Sequence, residues 1–124
     1  MKLSVALAQI NPTVGDLNGN SALIMNSVQE AKKAGAHIIV FPEMIVTGYP
    51  VEDLALRPSF QDASIAAVEK IASQISGDIV AVVGYLDRGP QNTVAVIHEG
   101  KIKARYVKRH LPNYGVFDEF RNFT

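Results

Sequence analysis

Apolar residues recur along this chain in two rhythms, a helical one and a continuous one, and their alternation outlines the elements. Leu3 to Ile10 reads as a strand, and the following Asn11-Pro-Thr-Val-Gly-Asp-Leu-Asn-Gly-Asn is dense in turn formers, so the chain reverses there. From about Asn20 to Ala34, Ile24, Val28 and Ala31 recur at helical spacing. Lys32 and Lys33 fall in the last turn, and Gly35 supplies a left-handed stop. That helix has one face to bury. Ile38-Ile-Val-Phe shows no alternation, which predicts a strand covered on both sides. Met44 to Pro58, interrupted by Gly48, Pro50 and Pro58, reads as a loop. A second helix, roughly Ser59 to Ser76, carries Ile65, Val68, Ile71 and Ile75 as its stripe and stops at Gly77. Ile79-Val-Ala-Val-Val-Gly-Tyr repeats the pattern of a strand buried on both sides. Beyond Asp87-Arg-Gly-Pro-Gln, Asn92 to His98 and Lys101 to Val107 pair as a hairpin around Glu99-Gly-Lys.

The resulting order is strand, helix, strand, helix and three strands, which argues for an α/β layered fold, although it does not fix the order of strands in the sheet. No repeat, low-complexity linker or internal boundary divides the chain. Leu111 to Thr124, rich in Asn, Gly and aromatics, adds no closing helix or strand. The tail looks like a loop heading towards something not present, and the sequence reads as interrupted.

Composition narrows the classes. At 124 residues, with 48% hydrophobic and 19% charged, the chain has the makeup of a globular domain and lies far from the disordered range. Twelve basic residues balance twelve acidic ones, so no net field draws in nucleic acid or an anionic membrane. The absence of cysteine excludes disulfides and thiolate metal sites and fits a cytoplasmic setting. The opening apolar run is broken by Ser4 and Gln9 and is too short for a secretory signal.

Two groups stand out chemically. Glu43 leaves the carboxyl end of a buried-type strand, where open α/β sheets collect ligands. Sixty-five positions further on, Lys108 offers a cation to match it. Each has a plainer reading. Glu43 could be a solvated loop or cap residue, and Lys108 one of the basic residues, with Lys101, Lys103, Arg105 and Arg109, on the wet face of an edge strand. Gly48 would permit close backbone approach in Thr47-Gly-Tyr-Pro, and Tyr49 could wall a pocket. His37, His98 and His110 lack the spacing of a helical metal pair, so no metal site is expected. Gly15 and Gly19 hint at a phosphate loop without forming either standard glycine pattern. Ser59, Ser64, Ser73 and Ser76 lie on or beside the second helix with no base suggested nearby.

Phe41-Pro-Glu-Met with Thr47-Gly-Tyr-Pro, and Tyr106-Val-Lys-Arg-His-Leu-Pro-Asn-Tyr-Gly-Val-Phe-Asp-Glu, resemble the nitrilase, or carbon-nitrogen hydrolase, superfamily. With Val5-Ala-Leu-Ala-Gln-Ile-Asn-Pro-Thr-Val-Gly-Asp, the likeness is nearest the branch of amino-terminal glutaminase domains found in glutamine-dependent NAD synthetases. The resemblance implies an α-β-β-α sandwich of which residues 1–124 supply the amino-terminal portion, with the inner sheet face short of much of its partner. It also implies a Glu, Lys and Cys triad in which Glu43 is the general base and Lys108 the catalytic lysine. Glu119 matches the supporting second glutamate, and Tyr114 falls in the segment lining the glutamine pocket. The nucleophilic cysteine is absent, so the chain by itself is expected to be inactive.

By the same resemblance the partners are glutamine and a synthetase domain that makes NAD from deamido-NAD with ATP and magnesium, in a homo-oligomer; no cofactor falls to these 124 residues. Three other readings stay open: a piece of another amidase, carbamoylase or nitrilase of the superfamily, a scaffold that has lost its nucleophile and only binds partners, and a small flavodoxin-like or Rossmann-like nucleotide-binding module.

Overall fold

The computed structural model describes residues 2–109 together with the backbone of two short strands at 113–114 and 117–118. The elements run β1 (Val5–Leu7), α1 (Leu17–Lys33), β2 (Ile38–Val40), a 3-10 turn (Glu52–Leu56), α2 (Pro58–Gln74), β3 (Val80–Asp87), β4 (Gln91–His98), β5 (Lys101–Val107), β6 (Asn113–Tyr114) and β7 (Phe117–Asp118). Strands β1 to β5 form one sheet in chain order. The first three are parallel, β4 and β5 run antiparallel to their neighbours, and β6 and β7 pair separately.

Each helix begins where its local chemistry dictates. The Asp16 carboxylate accepts from the Gly19 N–H at 3.0 Å, so α1 starts three residues earlier than its apolar rhythm suggests. Ile24, Val28 and Ala31 turn inward as expected, Lys32 and Lys33 occupy the last turn, and Gly35 takes φ +79°. Pro58, read from the sequence as a loop breaker, is the first residue of α2, where its missing N–H costs nothing and its fixed φ suits the helix. The inward face of α2 holds Ser64, Val68, Ile71 and Ala72, while Ile65 is only half-buried. Helix α2 ends at Gln74, and Gly77 serves the turn that follows it.

Both helices cover the same side of the sheet. Ile24, Val28, Val68 and Ile71 pack with Ile39, Ala81, Val83, Ala95 and Ile97 into one core. Successive strand residues point to opposite sides, so the register places Val5, Leu7, Val40, Val82, Val94 and Tyr106 together on the other face. There Leu7 is 71% exposed, Tyr106 66% and Val5 48%. Strand β2 is therefore buried on one side only: Ile39 is enclosed, whereas Ile38 and Val40 are half-exposed. The expected double burial fails because, among the described residues, no layer lies on the second face.

Candidate active site

The segment after β2 does not leave the sheet but crosses over its neighbour. The Phe41 N–H donates to the Val82 carbonyl at 3.1 Å and the Val46 N–H to the Gly84 carbonyl at 3.2 Å, which lays residues 41–46 along β3. Gly84 makes this possible. A Cβ there would stand 2.5 Å from the Met44 nitrogen and 3.3 Å from the Glu43 carbonyl carbon. Met44, Ile45, Val46 and Thr47 are fully buried, and Met44 takes φ +55°. Asn20, 1% exposed, clamps the same loop from α1: its amide donates to the Thr13 and Val46 carbonyls at 2.8 and 3.0 Å and accepts from the Thr13 N–H at 2.8 Å. Gly48 likewise admits a backbone neighbour, since a Cβ would lie 2.8 Å from Val14 Cα.

This crossing carries Glu43 toward β4 and β5. From β2 to β5 the sheet spans three strand spacings, roughly 14 Å at about 4.8 Å each, too far for direct contact between carboxylate and amine. The loop closes that gap. Lys108 Nζ donates to Glu43 Oε1 at 2.7 Å, and Asn92 Nδ2 donates to the same oxygen at 2.6 Å. Both groups line a cavity of about 390 Å3 whose remaining walls include Val40, Phe41, Val82, Val94 and Tyr106. The Glu43 side chain is 43% exposed and that of Lys108 30%, so the pair itself stabilises the fold by no more than about 1 kcal/mol. Its placement in an apolar hollow serves chemistry better than stability.

Glu43 and Lys108 thus meet in one site. Among the described residues, Asn92, 4% exposed, is the second polar side chain on the carboxylate, and the sequence reading passed over it. The sequence places Asn92 at the start of a strand; only the β3–β4 register shows that this position faces the Glu43 loop. Tyr49 does not wall this cavity. It packs instead against the cluster of Met44, Val51, Ala55 and Leu86. The side chain of Tyr114, and Glu119 and His110 entirely, lie outside the described residues.

Other candidates are occupied elsewhere. Ser64 is buried and accepts from the Leu86 N–H at 3.1 Å, and Ser73 donates to the Lys70 carbonyl at 2.7 Å. His37 Nδ1 accepts from the Ser4 N–H at 2.9 Å, and His98 faces Glu99 at 3.2 Å. The Gly15 to Gly19 turn is no phosphate cradle, because the Asp16 carboxylate already sits on the Gly19 N–H in the first turn of α1 and would repel an anion. The binding-module reading loses its one supporting feature there.

Residues 4–124 match the family model described as carbon-nitrogen hydrolase. The chain belongs to the carbon-nitrogen hydrolase family. Among curated proteins it is 42% identical to a glutamine-dependent NAD(+) synthetase of Aquifex aeolicus, over 98% of this chain and 22% of that protein. A counterpart in Thermotoga maritima is 40% identical over the same share of this chain and 22% of its own length. The chain therefore spans somewhat under a quarter of these relatives. Among solved structures, a glutamine-dependent NAD+ synthetase from Acinetobacter baumannii superposes with a TM-score of 0.87 at 39% identity, covering 97% of this chain and 23% of that one. An amidase from Nesterenkonia sp., 22% identical with a TM-score of 0.82 over 98% of this chain and 47% of its own, shares the fold. This carbon-nitrogen hydrolase chain thus has the mixed α/β sheet of the nitrilase fold.

Among the described residues, no helix is long and apolar enough to cross a membrane.

Proposed function

We propose that these residues form part of a glutaminase domain that releases ammonia from glutamine for a coupled NAD synthetase. The observation that carries the reading is the single oxygen of Glu43 shared by Lys108 at 2.7 Å inside an apolar cavity. The roughly 40% identity to glutamine-dependent NAD synthetases, against about 22% to the amidase, favours glutamine over other amides.

The chemistry requires a thiolate, and a thiol with an ordinary pKa near 8.5 is mostly protonated at neutral pH without a base beside it. Glu43 takes that proton from a cysteine contributed from outside these 124 residues. The sulfur attacks the side-chain amide carbon of glutamine, and the electron pair displaced onto oxygen is met by the Lys108 ammonium. Collapse of that intermediate breaks the C–N bond; Glu43 returns its proton to the departing nitrogen, and ammonia leaves. Water, deprotonated by Glu43, then attacks the thioester carbon, and the thiol is regenerated with glutamate as product. Apolar walls strengthen both charge interactions by keeping competing water away. Tyr114 would line the glutamine pocket and Glu119 would support the pair.

ATP and magnesium belong to the coupled ligation of deamido-NAD. The helix start that could have held a phosphate does not fit one, for the reason given by Asp16. The reading carries with it a cytoplasmic homo-oligomer.

The test is made in the complete enzyme that includes these residues, with NAD formation followed from glutamine and, separately, from free ammonium. Glu43→Gln and Lys108→Met each lower the glutamine-dependent rate by at least about 100-fold and leave the ammonium-dependent rate near wild type. Equal losses with both nitrogen sources, or none with glutamine, would overturn the assignment.

A further inference from the structure

We infer that Asn92 is a positioning residue that decides which oxygen of the Glu43 carboxylate acts as the base, an inference that rests on the glutaminase reading above. Asn92 Nδ2 and Lys108 Nζ converge on Oε1 at 2.6 and 2.7 Å. Among the described residues, every hydrogen bond to this carboxylate ends on Oε1, so the lone pairs of Oε2 remain for the incoming thiol proton. One donor alone would leave the group free to swivel about its last torsion. Two donors on one oxygen hold it.

Asn92 also secures the other half of the pair. Its backbone carbonyl accepts from the Lys108 N–H at 2.8 Å, so a single strand residue sets the end of β5 with its main chain and the loop after β2 with its side chain. It is suited to that task by burial: Asn92 is 4% exposed and pairs across β3 with Leu86, which is fully buried, whereas the side chains it holds are 43% and 30% exposed. The buried member of the trio orients the two more exposed ones.

Charge explains why an amide stands here. A hydrogen-bond donor to a carboxylate favours its ionised form, and a full positive charge does so much more strongly than a neutral N–H. A second lysine at position 92 would weaken Glu43 as a base, and an aspartate would push it away. The amide orients the carboxylate with no further cation beside it. In the reaction the thiol S–H bond breaks, its proton forms an O–H bond at Oε2, and sulfur keeps the electron pair.

Two measurements test this. In the complete enzyme, labelled with nitrogen-15 at asparagine, one Asn92 side-chain amide proton resonates downfield and exchanges slowly with water in the nuclear magnetic resonance spectrum, and Glu43→Ala abolishes both properties. In the complete enzyme, Asn92→Ala lowers kcat for glutamine about 100-fold with KM within about twofold, as expected for a misplaced base, and spares synthesis from free ammonium. Asn92→Asp, equal in shape, produces the same kcat loss and keeps the test open should the alanine variant fail to fold. A wild-type kcat in either folded variant, or an Asn92 amide indifferent to Glu43→Ala, overturns the inference. A wild-type enzyme that releases no ammonia from glutamine, with the amide signature intact, overturns the glutaminase reading instead.

Discussion

Replacing Gly84 with alanine adds one methyl group at the point where the Glu43 loop lies on β3. The backbone angle of Gly84 is ordinary for any residue, so the effect is steric alone. The new carbon would stand 2.5 Å from the Met44 nitrogen, about 1 Å inside the roughly 3.5 Å at which non-bonded heavy atoms rest. No flexible side chain can yield, because the obstacle is main chain on both sides. The loop must lift by about 1 Å, and Ile45 and Val46, fully buried beside it, resist. Overpacking of this kind costs about 1 to 3 kcal/mol. The lift acts directly on Glu43, whose bonds to Asn92 and Lys108 are too short to stretch by that amount and survive. Urea titration of Gly84→Ala should show a loss in that range at unchanged slope. The complete enzyme should lose about 100-fold in kcat from glutamine. Wild-type stability together with wild-type kcat would refute the reasoning, since it would mean that the loop does not rest on β3 as closely as described.

Three further outcomes are expected. Asn20→Ala removes three hydrogen bonds at a site 1% exposed and leaves the Thr13 N–H and the Val46 carbonyl without them, while the Thr13 carbonyl keeps the Asp16 N–H at 3.1 Å, a loss of about 2 to 4 kcal/mol by chemical denaturation. Burial, followed by the hydrogen bond it donates to Asp87, pushes the Tyr85 hydroxyl up to about 12 against the opposing pull of Arg105. Both states hold the proton below pH 10, and only the unfolded chain releases it between pH 10 and 12. Stability therefore falls across that window by up to about 2 to 3 kcal/mol, and comparison with Tyr85→Phe, which lacks this loss, isolates it. The open sheet face, with Leu7 71% and Tyr106 66% exposed, drives concentration-dependent association of the chain alone in sedimentation velocity, and Leu7→Lys with Tyr106→Lys suppresses it. A wild-type monomer at every concentration would count against that.

Helix α1 was legible because its apolar period and the Lys32, Lys33, Gly35 ending are local signals. The β4–β5 hairpin was legible for the same reason, through Glu99 and Gly100. The 3-10 turn at Glu52–Leu56 was hidden among loop residues, having too few positions to show a period. Burial of β2 was misjudged because an unbroken apolar run records that a face will be covered, not that the cover lies within the same stretch of chain. At the site, a carboxylate at a strand end could be singled out by position. Its meeting with Lys108 was expected from the resemblance of the two sequence blocks and not from position, since it depends on sheet order and on the crossing at Gly84. Asn92 carried no signal of its own.

The open side of the sheet and the floor of the cavity are one surface: Val40, Val82 and Val94 belong to both. Whatever polypeptide comes to rest on those valines also roofs that cavity. Covering and closing are thereby one event: the contact that shelters this greasy flank is also the one that shuts Glu43 and Lys108 in.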